Sequence, residues 1–127
     1  MPPDVLIVTE DKNRFSALAD ALENLINADV SWAVSGSIAL SKVERITPIL
    51  AVIDETLPDM SGLEFARKLM KANALIYTAV ASSLAPDDFH ETSEGLGVLI
   101  QLSLSPGEKE ARGVVTGLKN VFALPAA

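Results

Sequence analysis

The sequence predicts a doubly wound α/β domain, in which helices cover both faces of a five-stranded parallel sheet. Short apolar runs rich in β-branched residues alternate along the chain with segments whose apolar residues recur at helical spacing. The clearest runs are apolar at every position, which is typical of strands buried on both faces of a parallel sheet. These runs also end in polar residues, and in such sheets ligands bind beyond the carboxyl ends of the strands.

Length and composition indicate one domain. The chain has 127 residues, and we expect residues 1–127 to form a single unit, with a folded core from about 4 to 122 and a tail at 123–127. The absence of cysteine excludes zinc–thiolate sites, iron–sulfur clusters and redox thiols. A net charge of −7 argues against nucleic acid and anionic membranes as partners. No apolar run approaches the roughly 20 residues of a membrane span, so we expect a cytoplasmic protein.

Two strands and two helices are predicted before residue 48. The first strand, residues 5–8, is followed by the polar triplet Thr9, Glu10 and Asp11. Helical spacing of apolar residues then predicts the first helix, on the side chains of Phe15, Leu18, Ala19, Leu22, Leu25 and Ile26. A shorter strand at 29–34 and a second helix at about 35–46 complete this half.

The third strand, like the first, is apolar at every position. Residues 49–53 contain no polar side chain, and the run ends in Asp54. Residues 57–62 have the composition of a turn, and Ser61 is placed to cap a third helix.

A fourth strand is predicted at residues 74–81, and it ends at Ser82. The next segment, residues 86–95, is a short polar helix whose main apolar residue is Phe89, and Gly95 suits its C-terminal end.

The last strand is predicted at residues 98–102 and the last helix at 106–122. Gly113 and Gly117 lie inside this helix, where each costs about 1 kcal/mol relative to alanine. The helix therefore depends on packing for its stability.

Three acidic residues are predicted to converge at one edge of the sheet. In the strand order 2-1-3-4-5, strands one and three are neighbours at the point where the order reverses. Their carboxyl ends carry Glu10, Asp11 and Asp54. Carboxylates that share a crevice repel each other unless a cation lies among them, and an oxygen ligand set suits Mg²⁺. The alternative is that these acids only cap helices.

Two motifs carry a family resemblance. Residues 5–11 and, far more specifically, residues 50–64 resemble the receiver domain of two-component response regulators, in which the third strand ends in a phosphoaccepting aspartate followed by Leu-Pro-x-Met-x-Gly. The resemblance covers essentially the whole chain. It implies a flavodoxin-like fold with the sheet order 2-1-3-4-5.

The resemblance implies a role for several residues. Asp54 matches the phosphoacceptor and Ser82 the switch hydroxyl at the end of the fourth strand. The implied Mg²⁺ ligands are the side chains of Glu10, Asp11 and Asp54 and the backbone carbonyl of Thr56.

The acidic pair that the family has after its first strand is incomplete here. The register set by the first strand places Thr9 and Glu10 on the pair, so the first acid is lost. A shift of one residue would restore a pair of Glu10 and Asp11, and both alternatives stay open at this point.

The end of the fifth strand departs further from the family. The family's lysine falls on Leu102, which can donate nothing to a phosphoryl oxygen. The family's aromatic switch residue falls on Leu99. The nearest downstream lysine, Lys109, lies too far along the chain to replace the missing cation.

Two functional hypotheses follow. In the first, the chain is a stand-alone receiver that takes a phosphoryl group on Asp54 from a histidine kinase or phosphotransfer protein, with Mg²⁺ as cofactor and no enzyme activity beyond slow self-phosphorylation and dephosphorylation. In the second, it is a pseudo-receiver that binds an output partner, or a second copy of itself, through helix four, strand five and helix five. Fold alone does not exclude a small flavin or nucleotide binder, although no loop after strand one suits one.

Overall fold

Strands and helices alternate across residues 2–121, the part of the chain that this computed structural model describes. In chain order the elements are β1 (Asp4–Val8), α1 (Lys12–Ile26), β2 (Asp29–Ala33), α2 (Gly36–Ile46), β3 (Leu50–Ile53), α3 (Gly62–Ala72), β4 (Tyr77–Ala81), α4 (Pro86–Ser93), β5 (Val98–Leu102) and α5 (Glu108–Val121). The strands form one parallel sheet in the order β2-β1-β3-β4-β5. The predicted fold and strand order are therefore confirmed.

Each face of the sheet has its own apolar core. Helices α1 and α5 pack on one face, with large buried side chains such as Phe15 and Leu118. Helices α2, α3 and α4 cover the other face, where Phe65 and Phe89 are buried. The strands β1 and β3 lie between the two cores, which explains why both are apolar at consecutive positions.

Most element boundaries lie close to the predicted ones, and two differ for clear reasons. Strand β4 begins at Tyr77 rather than 74, because Asn73 Oδ1 accepts a hydrogen bond from the Leu75 N–H at 3.0 Å and holds a turn there. Helix α5 begins at Glu108 because the Gly107 carbonyl accepts its first helical hydrogen bond, from an N–H at 3.0 Å. The predicted end of this helix at residue 122 and the tail at 123–127 lie outside the described residues.

The register between β1 and β3 places the residues that follow these two strands next to each other. Val8 pairs with Ile53, so Thr9 and Asp54 leave the sheet side by side. The Asp54 N–H donates to the Val8 carbonyl at 2.9 Å, which continues the pairing by one residue.

Glycine is required where α3 begins. A Cβ on Gly62 would lie 2.1 Å from the Asp54 carbonyl oxygen, a distance that the backbone of β3 cannot accommodate. Ser61 caps the helix as predicted, since its Oγ accepts a hydrogen bond from the Glu64 N–H at 3.1 Å. The turn residues thus bring α3 directly against the end of β3.

No helix within residues 2–121 combines the length and the apolar character needed to cross a bilayer.

Candidate functional site

A crevice of about 660 Å³ opens where β1 and β3 end, at the carboxyl edge of the sheet. This is the edge at which the sequence predicted a site, and the crevice brings all four predicted metal-ligand residues together. Its lining residues come from the loops after β1, β3 and β5 and from the first turn of α1: Glu10, Asp11, Arg14, Asp54, Glu55, Thr56, Leu104 and Ser105.

Asp54 is the buried acid of this crevice, with 2% of its surface exposed. Its Oδ1 accepts a hydrogen bond from the Glu55 N–H at 2.8 Å. Its Oδ2 accepts one from the hydroxyl of Thr9 at 2.7 Å. The carboxylate is therefore fixed in orientation by the backbone of its own loop and by the residue that follows β1.

Arg14 supplies a cation to the same carboxylate, which the sequence analysis did not foresee. Its Nη2 donates to Asp54 Oδ2, Nε donates to Asp11 Oδ2 at 3.3 Å, and Nη1 donates to the Leu104 carbonyl at 2.6 Å. The side chain is 32% exposed, so the guanidinium lies at the mouth of the crevice and reaches inward. One side chain of α1 thus joins the loops after β1, β3 and β5.

A signal for Arg14 was present in the sequence. The first turn of a helix favours acidic side chains, because the helix dipole is positive there, yet α1 has no acid in this turn and carries two cations, Lys12 and Arg14. Asp11 is at the N-cap position but its side chain makes no capping hydrogen bond, since the carboxylate bonds to Arg14. Cations at this disfavoured end of a helix indicate partners outside the helix, and those of Arg14 include Asp54.

The acidic side chains among the predicted magnesium ligands line the crevice without grouping around one point. Among the side chains of residues 2–121, no three acidic or histidine residues converge as a metal-binding group. Glu10 and Thr56 are exposed, and Asp54 Oδ2 already bonds to a hydroxyl and a guanidinium. Asp54 Oδ2 is therefore not free to bind a divalent ion, and the ligand set of Glu10, Asp11, Asp54 and Thr56 remains a prediction.

Ser82 lies at the end of β4, mostly buried, where the switch hydroxyl was predicted. Its Oγ accepts a hydrogen bond from the Leu84 N–H at 3.1 Å and so shapes its own loop. The neighbouring Ser83 donates to Glu55 Oε2, from its N–H at 2.6 Å and from its hydroxyl at 2.8 Å. The backbone N–H of Ser83 lowers the pKa of Glu55 in consequence, and the loops after β3 and β4 are held together.

The end of β5 supplies no cation to the crevice. Leu102 is 1% exposed and packs in the core shared with α1 and α5. Gln101, which the sequence analysis overlooked, instead ties β5 to the loop after β4: its Nε2 donates to the carbonyls of Leu84 at 2.8 Å and of Ser82 at 3.3 Å.

Leu99, on which the family's aromatic switch residue falls, lies at an irregularity of β5. The β4–β5 pairing shifts register between Thr78 and Ala79, which leaves Leu99 as the extra residue of β5. Its side chain is half-buried and lies against Gly117 of α5. A Cβ added to Gly117 would be 3.3 Å from the Leu99 side chain. The site Leu99 occupies is therefore a packing position between β5 and α5.

Comparison with known proteins gives one sequence relative and several similar structures. The chain matches no protein-family model. It is 37% identical over 95 residues to a protein-glutamate methylesterase/protein-glutamine glutaminase of Treponema denticola. This match covers 72% of the chain and 25% of the relative, so the chain spans about a quarter of that protein's length.

The similar structures are receiver domains. A CheY-like response regulator receiver domain protein from Methanospirillum hungatei has a TM-score of 0.77 and 22% identity, covering 95% of this chain and 94% of that one. The receiver domain of Francisella response regulator 1452 has a TM-score of 0.80 and 21% identity, with 94% and 99% covered. The response regulator domain of Thermotoga maritima CheB has a TM-score of 0.76 and 19% identity, and the match covers 94% of this chain and 96% of that one. At these identities the likeness establishes a shared fold.

Proposed function

We propose that this chain, which has the fold of the response regulator receiver domains that its sequence resembles, is a signalling module of a two-component phosphorelay. Asp54 is its proposed phosphoacceptor. The observation that carries the proposal is the placement of Asp54: a buried, oriented carboxylate at the end of β3, beside the end of β1 and open to a crevice. Ligands of doubly wound sheets bind at this switch point.

In the proposed reaction, a carboxylate oxygen of Asp54 attacks the phosphorus of a phosphohistidine on a histidine kinase or phosphotransfer protein. A bond forms between that oxygen and phosphorus, the phosphorus–nitrogen bond breaks, and the leaving imidazole nitrogen takes up a proton. The transferred group brings negative charge into the crevice. Arg14, which already contacts the Asp54 carboxylate, is placed to offset that charge.

The proposed role is signalling in the cytoplasm rather than catalysis of a separate reaction. Slow self-phosphorylation and dephosphorylation at Asp54 are the chemistry we assign to the chain itself. The activities in the name of the Treponema relative belong to a protein of which this chain covers 25%, and they are not part of the proposal.

The proposed output surface is the face formed by α4, β5 and α5, through which a partner protein or a second copy of the chain would bind. Support comes from Gln101, which ties β5 to the loop after β4, so that a rearrangement of that loop would reach this face. Nucleic acid and membranes are not proposed as partners, since the net charge of −7 opposes both.

A second candidate function is partner binding that does not depend on phosphorylation. The observations that favour it are the ion pair of Asp54 with Arg14 and the presence of Leu102 where the family has its lysine. The ion pair gives Asp54 a partner before any phosphoryl group arrives, and Leu102 has no donor to offer a phosphoryl oxygen.

Exposure of the full chain to acetyl phosphate in the presence of Mg²⁺, followed by intact-mass measurement, separates the two candidates. We expect the unmodified chain to gain the mass of one phosphoryl group and the matched Asp54→Asn variant to gain none. Asp59→Asn, which removes an exposed carboxylate from the same loop, is the second control and should be modified like the wild type. A wild type that gains no phosphoryl group would exclude the phosphoacceptor function and leave the phosphorylation-independent one.

A further inference from the structure

We propose that the Arg14 guanidinium is the resident cation of the Asp54 crevice, in the place where the sequence predicted a divalent metal ion. The inference concerns the same crevice as the proposed function but does not depend on whether Asp54 is phosphorylated. It makes the site independent of magnesium and assigns to α1 the positive charge that β5 does not provide.

The crevice requires a positive charge. Its lining includes the carboxylates of Glu10, Asp11, Asp54 and Glu55, and Arg14 is the cationic side chain among these lining residues. A buried carboxylate is destabilised unless a cation or several hydrogen-bond donors compensate it. Asp54 has both, because Arg14 and Thr9 contact the same oxygen atom.

The guanidinium is held by several hydrogen bonds at once, unlike an isolated ion pair on the protein surface. Each of its three nitrogen atoms donates to a different partner: Nη2 to Asp54, Nε to Asp11 and Nη1 to the Leu104 carbonyl. Arginine does not lose its proton in proteins, so this positive charge is permanent. A divalent ion bound to Asp54 Oδ2 would lie beside a group of like charge.

Thr9 supports the Asp54 carboxylate without adding a carboxylate ligand for a metal ion. A carboxylate there would add a ligand for a cation, whereas a threonine hydroxyl donates a hydrogen bond to Asp54 Oδ2 at 2.7 Å. The same hydroxyl accepts from the Asp11 N–H at 3.0 Å. The residue thus uses its polar atom to support a carboxylate whose charge Arg14 already balances.

The contact with the Leu104 carbonyl extends the role of Arg14 beyond charge. It connects α1 to the loop between β5 and α5, across a separation of 90 residues in sequence. A change at Asp54 that draws on the guanidinium would therefore also reach this loop. Leu102 cannot make such a link, because its side chain is buried in the core.

Manganese titration of the full chain, followed by paramagnetic broadening of ¹⁵N amide signals, tests the proposal without any phosphodonor. We expect the wild type to show only weak, non-specific broadening at residues 9–11 and 54–56. Arg14→Ala should bind manganese at these residues at least about tenfold more tightly, since a nearby like charge is gone. Arg112→Ala is the matched control: it removes one exposed arginine that pairs with Glu108 at 3.1 Å, far along the chain in α5.

Two further variants keep the test decisive. Arg14→Gln removes the charge but keeps hydrogen-bond donors, and it replaces Arg14→Ala if that variant does not fold. Thr9→Asp combined with the Arg14 substitution should bind manganese most tightly of all. The proposal is overturned if the wild type binds manganese as tightly as the Arg14 variants, or if those variants gain no more than Arg112→Ala.

The metal titration and the phosphorylation assay fail independently. A chain that takes no phosphoryl group but gains metal affinity on loss of Arg14 would refute the proposed function and support Arg14 as the cation. A wild-type chain that takes a phosphoryl group and also binds manganese tightly at Asp54 would support the proposed function and refute Arg14 as the resident cation.

Discussion

Two buried threonines show how single residues divide between function and fold. Thr9 is 1% exposed and its hydroxyl both donates to Asp54 and accepts from a backbone N–H. Thr78, in β4, is 4% exposed, and its Oγ1 has no hydrogen-bond partner among the residues that the structure describes. The two residues look alike in the sequence, since each is a β-branched residue in or directly after an apolar run. Only the neighbours in the folded chain distinguish Thr9, whose hydroxyl bonds within the site, from Thr78, whose buried hydroxyl is unpaired among the described residues.

Substitution of each threonine by valine should change stability in opposite directions. Thr78→Val keeps the shape of the side chain and removes a buried hydroxyl without a partner, so we expect the free energy of unfolding to rise by about 1 kcal/mol. Thr9→Val deprives Asp54 of a donor and should lower it by about 1–3 kcal/mol. Urea unfolding of both variants against the wild type measures the difference. Destabilisation by Thr78→Val would mean that its hydroxyl has a partner in solution.

At the scale of single elements, packing explains why α5 contains two glycines, which helix propensity alone disfavours. Gly113 and Gly117 lie one turn apart on the side of α5 that faces β5. A Cβ on Gly113 would be 3.4 Å from Ile100, and one on Gly117 would be 3.3 Å from Leu99. The glycines therefore let α5 approach β5 closely, including the extra residue that the β4–β5 register shift produces.

Alanine substitution should distinguish the two glycines. Gly113→Ala gains helix propensity at the edge of an ordinary contact distance, so we expect stabilisation by about 0.5–1 kcal/mol. Gly117→Ala gains the same propensity but crowds Leu99, and its net gain should be smaller or absent. Thermal unfolding of both variants gives the comparison. A larger gain at Gly117 than at Gly113 would contradict the packing described for Leu99.

For the molecule as a whole, the loops at the carboxyl edge of the sheet are connected by charged side chains. Asp59, in the turn after β3, accepts hydrogen bonds from the N–H groups of Gly36 and Ser37 at 2.9 Å and from the Ser37 hydroxyl at 2.8 Å. It thereby joins the β3–α3 loop to the start of α2. The Ser37 hydroxyl, followed by the two N–H groups, lowers the pKa of Asp59 to about 2.

The Asp59 contacts predict a pH dependence of stability. Because the folded-state pKa of about 2 lies below the usual aspartate value of 3.8, the ionised carboxylate stabilises the folded chain above about pH 4, and this contribution disappears as the pH falls towards about 2. Asp59→Asn should therefore be less stable than the wild type at neutral pH, and the difference should shrink over this interval.

Thermal unfolding between pH 7 and pH 2 measures this difference. Asp20→Asn, which removes an exposed carboxylate from α1, serves as the control for charge. A difference between wild type and Asp59→Asn that stays constant down to pH 2 would contradict the role of the ionised group.

The fold could be predicted from the sequence because its signals are local. Consecutive apolar residues in β1 and β3 are required by burial on both faces, and the helical spacing in α1 and α5 is required by packing on one. The position of Asp54 followed from the same reasoning, since a residue after a buried central strand must lie at the carboxyl edge of the sheet. The motif around it identified the receiver-domain resemblance.

What the sequence did not determine are the partners of individual polar atoms. Whether Asp54 meets a metal ion or a guanidinium depends on the path of Arg14 from α1, on the hydroxyl of Thr9 and on the Leu104 carbonyl, which lies 90 residues away from Arg14 in sequence. Hydropathy patterns specify which faces are buried, because burial is a property of each residue and its near neighbours. Hydrogen bonds and ion pairs require distances of about 3 Å between atoms of separate segments, and only the folded chain sets those distances.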